Sequence, residues 1–109
     1  MELNNGIMMF MPHEAALAIA GENAPLILDV RTEEEWNEGH VPGSVHIPMQ
    51  ELTGRLAELD QNRETIVICA HGVRSLSVAR FLKSQRQFAN VGNVVGGISA
   101  WPEALEYTC

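Results

Sequence analysis

The residue with the greatest chemical reach in this chain is Cys69, which ends the apolar run Thr65-Ile66-Val67-Ile68 and opens the segment Cys69-Ala70-His71-Gly72-Val73-Arg74-Ser75. Taken alone, a cysteine at the end of such a run reads equally well as a small buried hydrophobe. The residues behind it point to chemistry. Gly72 opens backbone conformations closed to other residues, so successive N–H groups can turn inward as a nest. A helix starting at Ser75 leaves its first N–H groups unpaired and aimed at the same place, where its dipole also favours negative charge. A thiol in such a cradle ionises below the free value of ~8.5. Arg74 is a permanent cation that favours the thiolate further and can fork onto an anionic substrate. The pattern therefore predicts a thiolate nucleophile in an anion-binding loop.

Such a loop must be held by a strand before it and a helix after it. Leu26-Ile27-Leu28-Asp29-Val30 and Thr65-Ile66-Val67-Ile68-Cys69 are continuous apolar runs rich in β-branched residues, as in strands of a parallel sheet covered on both faces. Weaker strand signals lie at Ser44 to Ile47, Asn93 to Val95 and near Ile7 to Met9. Helices are expected over Pro12 to Ala20, from the capping box Thr32-Glu33-Glu34-Glu35 to about Gly39, over Gln50 to Leu59, from Ser75 to about Gln85, and from about Ser99 to Glu106. Strands alternating with helices imply an α/β layer fold, in which ligands bind beyond the C-terminal ends of the strands. Cys69 and Asp29 both occupy such ends.

A chain of 109 residues with 46% apolar content is expected to form one domain over residues 1–109 with one core. Its net charge of −7 argues against nucleic-acid or anionic-membrane partners. The first residues carry no signal-peptide pattern, and no apolar run nears the ~20 residues of a membrane span. With two cysteines, Cys69 and Cys109, no disulfide framework is indicated, and the expected compartment is the reducing cytoplasm.

Cys69-Ala70-His71-Gly72-Val73-Arg74-Ser75 resembles the active-site loop of rhodanese-like domains. Asp29-Val30-Arg31, then Glu38-Gly39-His40-Val41-Pro42-Gly43-Ser44 with Ile47-Pro48, resemble the two N-terminal signatures of that family, and Gly96-Gly97-Ile98 with Trp101 resembles its closing motif. The match runs from about Pro12 to Leu105. The resemblance implies a three-layer fold with a central parallel sheet of about five strands flanked by helices. It further implies that Cys69 accepts a sulfane sulfur from thiosulfate or a persulfide donor and passes it to cyanide or a thiol, with no metal or organic cofactor. Ala70, His71, Gly72, Val73, Arg74 and Ser75 would bind the substrate, and Asp29 and Arg31 would support the site. Phosphatases of similar architecture, and arsenate reductases resembling them, have one more residue between cysteine and arginine. The four residues between Cys69 and Arg74 match the shorter loop, suited to a single sulfur atom.

Other readings stay open. His71 can contact substrate or simply face solvent. Ser75 can cap the helix, bond the sulfur, or do both. Arg31 is expected to pair with one of Glu34, Glu35 or Glu38. Trp36 and Trp101 read as packing residues. Cys109 is either a frayed terminal thiol or a resolving partner for Cys69. A sulfur-relay or redox-sensing module, served by a protein or low-molecular-weight thiol, would use the same nucleophile.

Overall fold

The computed structural model describes residues 2–107, the side chain of Glu2 excepted. Among these residues six strands form one sheet: β1 (Glu2–Asn4), β2 (Ile7–Phe10), β3 (Leu26–Asp29), β4 (Val45–His46), β5 (Thr65–Ile68) and β6 (Val91–Val94), in the order β1-β2-β6-β5-β3-β4. All neighbours run parallel except β1, which pairs antiparallel with β2 at the sheet edge. The sheet is therefore mixed and one strand wider than expected. The extra strand comes from a hairpin turn in which Asn5 (φ 51°) and Gly6 (φ 82°) both take left-handed conformations, the geometry that an Asn-Gly pair favours.

Both faces of the sheet are covered. Ile27, Ile66, Ile68 and Val94 pack with Ala15 of α1 (Pro12–Ala20) on one face. Leu28, Val67 and Val91 pack on the other with Leu52 of α3 (Leu52–Arg55) and with Val78, Ala79 and Leu82 of α4 (Val73–Gln85). Strand side chains alternate between faces, so Cys69, two residues beyond Val67, joins the α4 face. The last residue of β3, Asp29, is the register partner of Ile68 in β5. The two strand ends that the sequence singled out are thus adjacent.

Three helices differ from expectation. α4 begins at Val73, two residues early, so Arg74 and Ser75 lie inside its first turn. Gly72 is the N-cap, and Ser75 does not cap the helix. Ser75 instead starts the buried stripe Ser75, Val78, Ala79, Leu82 at i, i+3, i+4 and i+7. The expected Gln50 to Leu59 helix divides into a 3₁₀ turn (Met49–Glu51), α3 and a second 3₁₀ turn (Leu56–Glu58), with Gly54 weakening its centre. The expected C-terminal helix is a 3₁₀ turn, Gly97–Ala100, because Pro102 holds Trp101 in an extended conformation (ψ 128°). Beyond it the chain forms a bridge between Glu106 and His40. Helix α2 (Glu33–Asn37) begins on the expected capping box, with the Thr32 hydroxyl accepting from Glu35 N and the Glu35 carboxylate accepting from Thr32 N.

Candidate active site

Cys69 sits where β5 ends and the loop to α4 begins, and its side chain is buried. The backbone N–H groups of Gly72 and Ser75 both point at its Sγ, at 3.1 and 3.3 Å, and the Ser75 hydroxyl lies 3.2 Å away. Burial raises the pKa of this thiol. Hydrogen bonds from the Ser75 side chain and from the amides of Ser75, His71 and Gly72 outweigh it, and the net pKa falls below the ordinary thiol value.

Two glycines make the cradle possible. Gly72 has φ +94°, and a Cβ there would meet Gly96 N at 3.0 Å and Val94 O at 3.1 Å. Gly97 has φ +63°, and its Cβ would lie 2.3 Å from Cys69 O and 2.6 Å from Ala70 O. That contact is close because the 97–100 turn clamps the loop from behind: Ile98 N donates to Cys69 O (2.9 Å) and Ser99 N to Ala70 O (3.2 Å). Gly97 is needed for this backbone approach to the cysteine loop.

A polar lattice ties β3 to the start of α4. Asp29 and Arg31 are both buried and form a two-point ion pair, Nε to Oδ1 at 3.0 Å and Nη2 to Oδ2 at 2.8 Å. Arg31 also donates to the carbonyls of Glu35 (3.1 Å) and Gly39 (2.7 Å), fixing α2 and the residues after it. The expected glutamate mate of Arg31 is therefore corrected: its carboxylate partner is Asp29, because a side chain directed back toward the strand end reaches Asp29 and the carbonyls around α2. The Glu35 carboxylate turns instead to Arg74, accepting from Nη1 at 2.8 Å and Nη2 at 2.9 Å. This bonding to Arg74 holds Glu35 down at a pKa of about 2, with the Thr32 amide adding to it against the opposing effect of burial.

The remaining loop residues divide. His71 is exposed, with Nδ1 3.3 Å from Ser99 Oγ. Val73 is 77% exposed and directs its side chain away from the core. Ala70 contributes its carbonyl to the clamp. Trp36 stacks between His40 (3.5 Å between centroids) and His46 (4.7 Å), while Trp101 packs on the α1-side core. Cys109 lies outside the described residues.

Sequence reasoning missed two participants. Glu35 reads from the sequence as a helix cap and as one of three candidate mates of Arg31, not as the partner of Arg74. Asn93, 1% exposed in β6, accepts a hydrogen bond from the Ser75 hydroxyl through Oδ1 and donates through Nδ2 to Gly72 O at 3.4 Å. A single carboxamide in an otherwise apolar central strand is a signal that could have found it, since burying such a group requires partners. Among the described residues, no cluster of three or more His, Cys, Asp or Glu side chains could hold a metal ion, and no helix is long and apolar enough to cross a membrane.

A sheet of this topology, with a cysteine cradle between strand end and helix start, defines a rhodanese-type architecture, and the family model for the rhodanese-like domain matches residues 11–104. The chain belongs to the rhodanese-like domain family. It is 34% identical over 91 residues to the thiosulfate sulfurtransferase GlpE of Pseudomonas savastanoi pv. phaseolicola, covering 84% of each chain. It is 48% identical over 80 residues to YrkF, a candidate sulfur carrier protein of Bacillus subtilis (strain 168); that match covers 73% of this chain and 43% of the relative's length. The crystal structure of a rhodanese-like domain protein from Staphylococcus aureus superposes with a TM-score of 0.85 at 31% identity, covering 94% of this chain and 100% of the other.

Proposed function

We propose that this protein is a sulfurtransferase that carries a sulfane sulfur as a persulfide on Cys69. The observation that carries this reading is the convergence of the Gly72 and Ser75 amides on Sγ within a loop of four residues between Cys69 and Arg74. In the first half-reaction the Cys69 thiolate attacks the outer sulfur of thiosulfate. A new S–S bond forms as the old one breaks, and sulfite departs with the electron pair. In the second, cyanide or a thiol attacks the outer sulfur of the persulfide, and the Cys69 thiolate leaves. The cradle serves both states, since preorganised N–H donors stabilise negative charge on sulfur without reorganisation. Arg74 keeps N–H donors beyond the two that Glu35 occupies, and these suit the sulfonate oxygens of the donor. His71, exposed on the loop, would be a second contact for the same anion.

Supporting the reading, the GlpE relative matches along most of both chains and is named for thiosulfate sulfur transfer. The YrkF match favours a second reading, in which donor and acceptor are protein thiols and free thiosulfate is not the physiological substrate. Steady-state formation of thiocyanate from thiosulfate and cyanide tests the proposal. Turnover is expected to be double-displacement in form and to vanish in Cys69→Ser. Persulfide donors that load Cys69 while thiosulfate does not would select the relay reading. Cys69-dependent hydrolysis of an aryl phosphate, with no sulfur transfer, would contradict both.

A further inference from the structure

Asn93 is buried in a central strand on the same sheet face as Cys69, its register partner being Val67, two residues before the cysteine. Neither its position nor its polarity helps the core, where an aliphatic side chain would pack without desolvation cost. Its bonds explain its presence. Oδ1 accepts from the Ser75 hydroxyl, and Nδ2 donates to the carbonyl of Gly72, whose own amide donates to Sγ. The Gly72 carbonyl fixes the carboxamide's orientation, because reversing it would set Oδ1 against another acceptor.

The Ser75 hydroxyl has one proton and two neighbours that can accept it. With that proton on Asn93 Oδ1, Ser75 Oγ can only accept from Cys69, which requires the thiol form. When Cys69 loses its proton to a solvent base, the hydroxyl can rotate toward Sγ. Asn93 Oδ1 then loses its donor while still buried. We propose that Asn93 is a positioning residue for Cys69, its carboxamide oxygen competing with the sulfur for the Ser75 hydroxyl proton and thereby holding back ionisation of the thiol. The amides of Gly72 and Ser75 favour the thiolate, and Asn93 sets a limit on how far they succeed. A nucleophile whose basicity is kept from falling too low retains more of its attacking power toward sulfur.

This inference rests on Cys69 as the reacting thiol, but its readout is the acidity of Cys69, whatever sulfur that residue carries. The charged group facing Cys69 is Arg74 from α4, with Asp29 of β3 and Glu35 of α2 acting through Arg74; the loop's His71 is exposed with its imidazole against Ser99, and β6 supplies the neutral Asn93. The test is the pH profile of Cys69 alkylation by iodoacetamide in the full chain, with product located by peptide mass. Ser75→Ala removes a donor to the thiolate and should raise the apparent pKa by roughly one pH unit, the size of a hydrogen bond to a charged group. Asn93→Leu frees the hydroxyl for the sulfur and should lower it, and should have no effect in the Ser75→Ala background. A shift upward in Asn93→Leu, no shift, or an equal shift with Ser75 absent would overturn the proposal. A second measurement needs no change at position 93. The Asn93 side-chain amide resonances should follow the Cys69 titration in the wild type and lose most of that response in Ser75→Ala; equal responses in both would assign the effect to the charge of the sulfur alone and overturn the proposal. Failure of either test leaves sulfur loading of Cys69 unaffected, and failure to load sulfur leaves these profiles measurable.

Discussion

Glu35 and Arg74, 39 residues apart in sequence, meet in a two-point ion pair of 2.8 and 2.9 Å at the mouth of the cysteine loop. The pair joins the start of α2 to the first turn of α4. Behind it, Arg31 holds the Glu35 carbonyl and is itself anchored on Asp29. The cation beside Cys69 is thus held in place by a frame that begins at the end of the neighbouring strand.

The frame has a pH signature. Glu35 ordinarily titrates at 4.5 and in the folded protein at about 2, chiefly because of Arg74. A carboxylate with a depressed folded value stabilises the fold above its unfolded pKa, and that contribution is lost as pH falls through the folded one. Thermal unfolding should therefore show stability falling from about pH 4.5 toward about pH 2, and Glu35→Gln should flatten that part of the curve relative to wild type. Parallel curves for the two proteins would show that the pair contributes nothing. Both side chains are part exposed, so the effect should shrink in high salt.

Arg74→Lys keeps the charge and loses the planar fork. Lysine cannot span both Glu35 oxygens and still present donors to an anion. Sulfur-transfer kinetics should show KM for thiosulfate rising roughly tenfold, equivalent to about 1.4 kcal/mol, with kcat changed much less. An unchanged KM would remove Arg74 from substrate binding.

Gly97→Ala places a methyl group 2.3 Å from the Cys69 carbonyl at a residue with φ +63°. Overpacking and left-handed strain together should cost roughly 3 kcal/mol, measured by urea unfolding. Folded protein should also react more slowly at Cys69, because the clamp through Ile98 N and Ser99 N must shift. Wild-type stability in this variant would show that the turn adjusts freely.

How much of this was legible in advance depended on the range of the interactions. The cysteine loop, the two central strands, α1 and the capping box of α2 rest on local patterns, and the sequence displays them directly. The site's polar frame does not: Glu35 finds Arg74, and Asn93 finds Ser75, only once the sheet has brought distant segments together. Helix ends depended on single residues that periodicity overlooks. Pro102 cancels the helix expected from about Ser99 to Glu106, and Gly54 breaks another. The first strand went unanticipated: it is three residues long and has little pattern of its own, and the Asn5-Gly6 pair that turns it onto β2 is its one local signal. Ser75 reads from the sequence as a candidate contact of sulfur, while its place in the first turn of α4 follows from Gly72 being the cap.

Persulfide formation on Cys69 can be read directly from the intact mass of the chain. After incubation with thiosulfate and removal of excess reagent, the wild-type chain should gain the mass of one sulfur atom. Cyanide should remove it as thiocyanate, and Cys69→Ser should gain nothing. A wild-type chain that takes up no sulfur from thiosulfate or from a persulfide donor, or a Cys69→Ser chain that takes it up equally, would contradict a Cys69 persulfide.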